Sequence, residues 1–171
     1  MPTPHVSLRE VKREERDVLA NLLELYCHDL SPYFPVTLGP DGRFGYAYLP
    51  RYWKEPGVRF PLFIEADGAL AGFALAMRGS PATNDASHLD VAEFFVLRAL
   101  RKRGIGERAA ALLWDALPGH WTVRVARANE GAVRFWERAI TRYTGSAPHG
   151  RGLAQGGIDR VLFELDAPPP R

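Results

Sequence analysis

An apolar run of strand length at residues 89–97 leads into a basic loop, two closely spaced glycines and an amphipathic helix. No other passage limits the possible folds of this chain as strongly. The run is rich in aromatic and β-branched residues, so it reads as a strand. Ile105, Ala109, Leu112, Leu113, Ala116 and Leu117 recur at helical spacing, which predicts a helix over 104–117 that Pro118-Gly119 ends. A helix N-terminus carries unpaired backbone N–H groups and partial positive charge, and is a ready anion site. Gly104 and Gly106 let the backbone approach a bulky anion with no Cβ in the way. Arg101, Lys102 and Arg103 add positive charge at its mouth. Together they suggest a pyrophosphate. No Lys-Ser/Thr follows the glycines, which argues against a triphosphate P-loop. The first glycine of Gly-x-Gly-x-x-Gly is missing, which argues against a dinucleotide-binding turn. The Gly-x-Gly pair alone is equally compatible with a solvated tight loop.

The rest of the chain supplies a matching frame. Val6, Leu8 and Val11 suggest a short edge strand, and a helix follows at roughly 13–28 with Val18, Leu19, Leu22, Leu23 and Tyr26 on one face. Ser31-Pro32 stops it. Residues 31–59 carry five prolines, four glycines and many aromatics, and read as a long loop with one short helix. Residues 60–66 and 69–77 flank Asp67-Gly68 and read as a hairpin. A strand at 120–126, a helix from Asn129 to about Arg142 and a last strand at 158–165 complete the string. Hairpins mixed with crossover helices predict an α/β (α+β) domain with a mixed sheet. One domain over 1–166 is expected, with 167–171 as a Pro-rich tail outside the core.

Composition narrows the function classes. Among 171 residues, 22 Lys+Arg face 20 Asp+Glu, a net charge of +2 that gives no support to a general nucleic-acid binder. The near-neutral sum hides asymmetry, since residues 98–108 and 120–142 are both net basic and the remainder is acidic. The single cysteine, Cys27, excludes an internal disulfide framework, which with no signal peptide points to the cytoplasm. No apolar stretch is long enough for a membrane span. The five histidines show no ligand-like spacing, so no metal is expected.

Arg101-Lys102-Arg103-Gly104-Ile105-Gly106 resembles the Gln/Arg-x-x-Gly-x-Gly/Ala hallmark of the GNAT family, the Gcn5-related N-acetyltransferases. A second family element, Asn-x-x-Ala-x-x-Phe-Tyr, has its counterpart in Asn129-Glu130-Gly131-Ala132-Val133-Arg134-Phe135-Trp136. Both lie in order within a matching strand–helix string, and the resemblance covers roughly residues 5–166. It implies the GNAT fold: a mixed, mostly antiparallel central sheet flanked by helices, with strands splayed at the cofactor. It implies acetyl-CoA as co-substrate. The loop amides of Arg101, Lys102, Arg103, Gly104, Ile105 and Gly106 would bind its pyrophosphate. The backbone of Phe95 and Val96, with Phe94 close by, would pair with its pantetheine arm. Asn129 is expected to cap its helix and also to reach the cofactor. Trp136 replaces the usual Tyr acid. An indole N–H cannot supply that proton, and Trp136 reads as core.

Acetyl transfer to an amine needs a group to take the ammonium proton. Glu93, a carboxylate inside an apolar strand, is the first candidate; Asp90 is second and His88 third. A backbone N–H near Val96 would hold the oxyanion. Cys27 reads as apolar filler. The aromatics of 31–59 (Tyr33, Phe34, Tyr46, Tyr48, Tyr52, Trp53) either wall an amine pocket or cover the core. The expected partner is a small-molecule or protein amine, with no nucleic acid and no membrane, and a homodimer is compatible with it. The alternative is a non-catalytic acyl-CoA-binding domain, for which Trp136 leaves room.

Overall fold

The structure, a computed structural model, describes residues 3–169. Seven strands form one sheet: β1 (Val6–Glu10), β2 (Arg59–Ala66), β3 (Ala69–Arg78), β4 (Leu89–Val96), β5 (Gly119–Ala126), β6 (Arg151–Gln155) and β7 (Ile158–Ala167). Three α-helices join them: α1 (Arg16–Leu30), α2 (Ile105–Ala116) and α3 (Glu130–Thr144). The order across the sheet is β1-β2-β3-β4-β5-β7-β6. Only β4 and β5 run parallel; every other neighbouring pair is antiparallel. This is the mixed, mostly antiparallel sheet that the sequence implies.

Local chemistry sets the boundaries. Asp67 (φ 51°) and Gly68 (φ 77°) both adopt the left-handed region that a two-residue hairpin turn requires. The Asn129 side chain accepts a hydrogen bond from the Ala132 N–H at 3.1 Å and starts α3. In α1, Leu19, Leu22, Leu23 and Cys27 are buried, whereas Val18 is 44% exposed. At 100° per residue Val18 falls off the edge of that stripe. Residues 31–58 hold one 3-10 turn, Leu49–Trp53, and otherwise no regular element.

The sheet has two unlike faces. One is covered by α2 and α3, with Trp114, Trp121, Val123 and Phe163 in its core. The other is covered by α1 and the 3-10 turn, over Phe63, Phe73 and Phe95. Two details differ from the sequence reading. Residues 151–155, to which the sequence reading assigned no element, form the edge strand β6 beside β7. Ala167, assigned to the tail, pairs with Gly119 and is buried; Pro168 and Pro169 add nothing to the sheet, and Pro170 and Arg171 lie outside the described residues. No helix among the described residues is long and apolar enough to cross a membrane.

Candidate active site

β4 and β5 pair only through Leu89↔Trp121, Asp90↔Thr122 and Val91↔Val123. Beyond these they separate, and the gap opens into a cavity of about 530 Å³. The register between β3 and β4 runs Leu75↔Glu93 and then Ala76↔Val91, so Ala92 is an extra residue in a β-bulge. A bulge bends its strand. It also resets the alternation of side chains. In a regular strand, residues 90 and 93 point to opposite faces. Across this bulge both Asp90 and Glu93 lie on the α1 side, as their partners on β5 and α1 show.

The peptide groups divide in the same way. The Leu97 N–H donates to the Ala71 carbonyl at 2.9 Å. Alternation in an antiparallel pair then turns the peptides of Glu93 and Phe95 toward β3, and those of Phe94 and Val96 into the gap. Two contacts agree. A Cβ built on Gly72 would stand 2.0 Å from the Phe95 carbonyl oxygen. The Val96 carbonyl, in the gap, accepts from Arg101 Nε at 2.8 Å. Phe94 and Val96, and not Phe95, therefore offer peptide groups there. Phe95 contributes a buried ring, 5.6 Å from that of Phe73.

At the mouth, Gly104 (φ 75°) caps α2 in the left-handed region. A Cβ on Gly106 would meet the Phe135 ring at 3.0 Å, so its glycine is also a packing requirement. Ile105 is buried beneath the loop, while Lys102 and Arg103 are exposed. Arg101 pairs with Asp29, as does Arg98. Asn129, Phe94 and Gly104 line the cavity. Trp136 is 6% exposed in the core, 5.1 Å from the Phe94 ring. Tyr143 turns away, its hydroxyl donating to Asp115 at 2.9 Å.

Glu93 lies half-buried on the cavity wall. The Tyr26 hydroxyl donates to one of its oxygens, and the Tyr46 hydroxyl to the other at 2.9 Å. Burial pushes its carboxyl above the usual carboxylate range, against the pull of both tyrosines and of Arg124. A carboxylate whose proton affinity is raised is suited to accept a proton. Asp90 is different. It is fully buried, and Arg124 grips it by Nε at 3.0 Å and Nη2 at 2.6 Å. Thr122 Oγ1 lies 2.6 Å from Asp90 Oδ1 and 2.6 Å from Ser80 Oγ. Both Asp90 oxygens are thus engaged. His88 stands outside the cavity, bonded to Thr83 and stacked 4.2 Å from His120. Cys27 is buried in α1, and burial raises its thiol, which disfavours a nucleophilic thiolate. Among the described residues no group of three or more His, Cys, Asp or Glu is placed to hold a metal ion.

The aromatic stretch divides between the cavity and the core. Tyr33 and Phe34 line the cavity, Tyr52 is buried in the core, and Tyr48 is exposed. Sequence reasoning did not find the hydroxyl partners of Glu93 or the role of Arg124. Tyr26 registers in sequence only as one more apolar residue of α1.

The model of the acetyltransferase (GNAT) family matches residues 21–140. No curated protein matches the chain by sequence. Solved structures share the fold. The aminoglycoside acetyltransferase AAC(6')-Ib, in complex with coenzyme A, is 14% identical with TM-score 0.71, over 95% of each chain. An acetyltransferase from Thermus thermophilus is 14% identical with TM-score 0.68, over 97% of this chain and 99% of its own. RimJ of Mycobacterium smegmatis, in complex with CoA-disulfide, is 17% identical with TM-score 0.66, over 95% of this chain and 82% of its own.

Proposed function

Since this chain belongs to the acetyltransferase (GNAT) family, we propose that it moves an acetyl group from acetyl-CoA to a primary amine by direct attack in a ternary complex. The observation that carries this reading is the junction of two features at one bulge. The gap between β4 and β5 leaves the Phe94 peptide and the Val96 N–H without a partner on β5, and Glu93 stands beside it with its proton affinity raised. Acetyl-CoA is the co-substrate of the family, and it supplies a thioester that an amine can attack. The loop from Arg101 to Gly106 and the α2 N-terminus suit its pyrophosphate. The free β4 peptides suit its pantetheine amides, and Asn129 and Phe94 border its path.

Glu93 is the proposed base. The arriving ammonium gives one proton through Glu93 to water and becomes a nucleophile. Charge developing on the thioester oxygen is met by a gap-facing β4 N–H, that of Val96 or Phe94. The new C–N bond replaces the C–S bond, and the second amine proton ends on the departing thiolate. Trp136 cannot donate it, and Tyr143 is held by Asp115, so water is the proposed route. Asp90 serves as a positioning residue, since it fixes Arg124 and has no free oxygen for the ammonium proton.

The test mixes the full chain with acetyl-CoA and a panel of primary amines, and follows thiol release beside a thermal-shift titration. Amine-dependent release, with stabilisation by acetyl-CoA and CoA, is the expected outcome. Stabilisation with no release across the panel would favour a binding domain. No stabilisation by either compound would overturn the reading.

A further inference from the structure

The sheet face that carries Glu93 holds two arginines, and among the described residues only one of them has a carboxylate of its own. β5 contributes Arg124 and β7 contributes Arg160. Leu162 lies opposite Arg124, and Ala126 opposite Arg160, so the two arginines are diagonal neighbours on one face, about 7–8 Å apart at the backbone. Arg124 is committed to Asp90. Arg160 makes no ion pair among the described residues, and its Nε is buried without a hydrogen-bond partner. Its Cζ lies 5.2 Å from the centre of the Phe34 ring. Phe34, Arg124 and Glu93 all line the cavity. An aromatic ring against the flat face of a guanidinium leaves the edge N–H groups free to fork onto a carboxylate. A buried donor with no acceptor carries a free-energy cost, and a second cation beside it adds to that cost. An anion on the terminal nitrogens of Arg160, which are not buried in this way, offsets the added charge. Burial and the neighbouring Arg124 lower the proton affinity of Arg160 and Glu93 opposes them, which puts Arg160 within electrostatic reach of the proposed base.

The other acidic groups of the cavity wall are taken. Asp29 holds Arg98 and Arg101, and Glu107 holds Arg138 and Arg142. A polycationic acceptor would meet only Glu93, which has a proton of its own to accept. We infer that the acceptor is a small amine that carries its own carboxylate, a free amino acid, with the carboxylate on the edge of Arg160 and the amine at Glu93. The inference rests on the acetyl-transfer reading above.

The experiment compares matched acceptors on the full chain with acetyl-CoA: phenylalanine against phenethylamine, leucine against isoamylamine, and spermidine as a polycation. The amino acid of each pair should show a kcat/KM about 10- to 100-fold above its carboxylate-free partner. In Arg160→Gln that advantage should collapse to near parity, through KM, with acetyl-CoA affinity and melting temperature as folding controls. Arg160→Lys, which keeps the charge and loses the fork, should restore part of it. Preference for the carboxylate-free amine or for spermidine in the wild type would overturn the inference alone. So would a folded Arg160→Gln that keeps the preference. Should the variants not fold, the matched pairs in the wild type still decide. Acetyl-CoA binding without turnover of any amine would instead sink the transfer reading, and this inference with it.

Discussion

Glu93 is an ionisable group held where ionisation is costly. Its carboxyl is raised above the usual carboxylate range, by burial first. The folded chain therefore holds that proton more tightly than the unfolded chain does. The stability linked to Glu93 is full below the ordinary carboxylate range and is lost as pH rises through the raised value. Above that raised value, its charge works against folding. Glutamine keeps the shape, accepts from one tyrosine and donates to the other, and carries no charge. Glu93→Gln should thus melt at or above the wild-type temperature at pH 8, and bind acetyl-CoA as before. Its turnover with amines should fall about 100-fold or more. The wild-type kcat/KM should climb with pH along a limb above the ordinary carboxylate range, and the variant should lack that limb. Thermal melts and pH–rate profiles read both. Unchanged turnover across pH would remove Glu93 as the base.

At the scale of elements, what the sequence disclosed and what it hid have separate physical causes. The hairpin at Asp67-Gly68, the helix after Gly104 and the cap at Asn129 are local signals, carried by residues whose backbone or side chain acts within a few positions, and the structure has all three. β6 is Arg-Gly-Leu-Ala-Gln, an edge strand with neither alternation nor β-branched residues, so nothing local announces it. The bulge is equally silent, because an alanine in an apolar run shows no sign that it lacks a partner. Glu93 was legible as a carboxylate out of place. Tyr26 and Tyr46 were not legible as its neighbours, since they come from α1 and a loop. The bulge is the element on which the site depends. Deleting Ala92 leaves Val91 and Glu93 consecutive opposite Ala76 and Leu75, a regular register that keeps Glu93 on the α1 side. A straightened β4 should then pair with β5 beyond Val91↔Val123 and close the gap. The deletion variant should fold, with acetyl-CoA affinity lowered roughly 10- to 100-fold, the worth of two backbone hydrogen bonds. Isothermal titration beside a melt tests it. A folded variant with full affinity would detach the bulge from cofactor binding.

The whole molecule consists of two half-sheets, β1–β4 and β5-β7-β6, joined by three residue pairs. A molecule that opens its sheet to admit a cofactor needs a strong closure at the hinge. The Asp90–Arg124 pair stands there, one partner on each half, with the side chains 0% and 15% exposed. Thr122 and Ser80 extend the closure on one side, and Gln155 of β6 extends it on the other. The sequence could name Asp90 as a candidate carboxylate but could not distinguish a base from a brace, because the distinction lies in Arg124, thirty-four positions away. The two roles predict opposite experiments. In Asp90→Asn the guanidinium stays buried and loses its counter-charge, a change that costs about 3–5 kcal/mol in such pairs. For a chain of this size that is a fall in melting temperature of roughly 6–20 °C. Glu93→Gln, three residues along the same strand, should show no such fall. Asp90→Asn with a wild-type melting temperature and abolished turnover would return Asp90 to the chemistry. A large fall in stability, with turnover retained below the new melting point, would mark the pair as the hinge that lets one half-sheet part from the other without the fold coming apart.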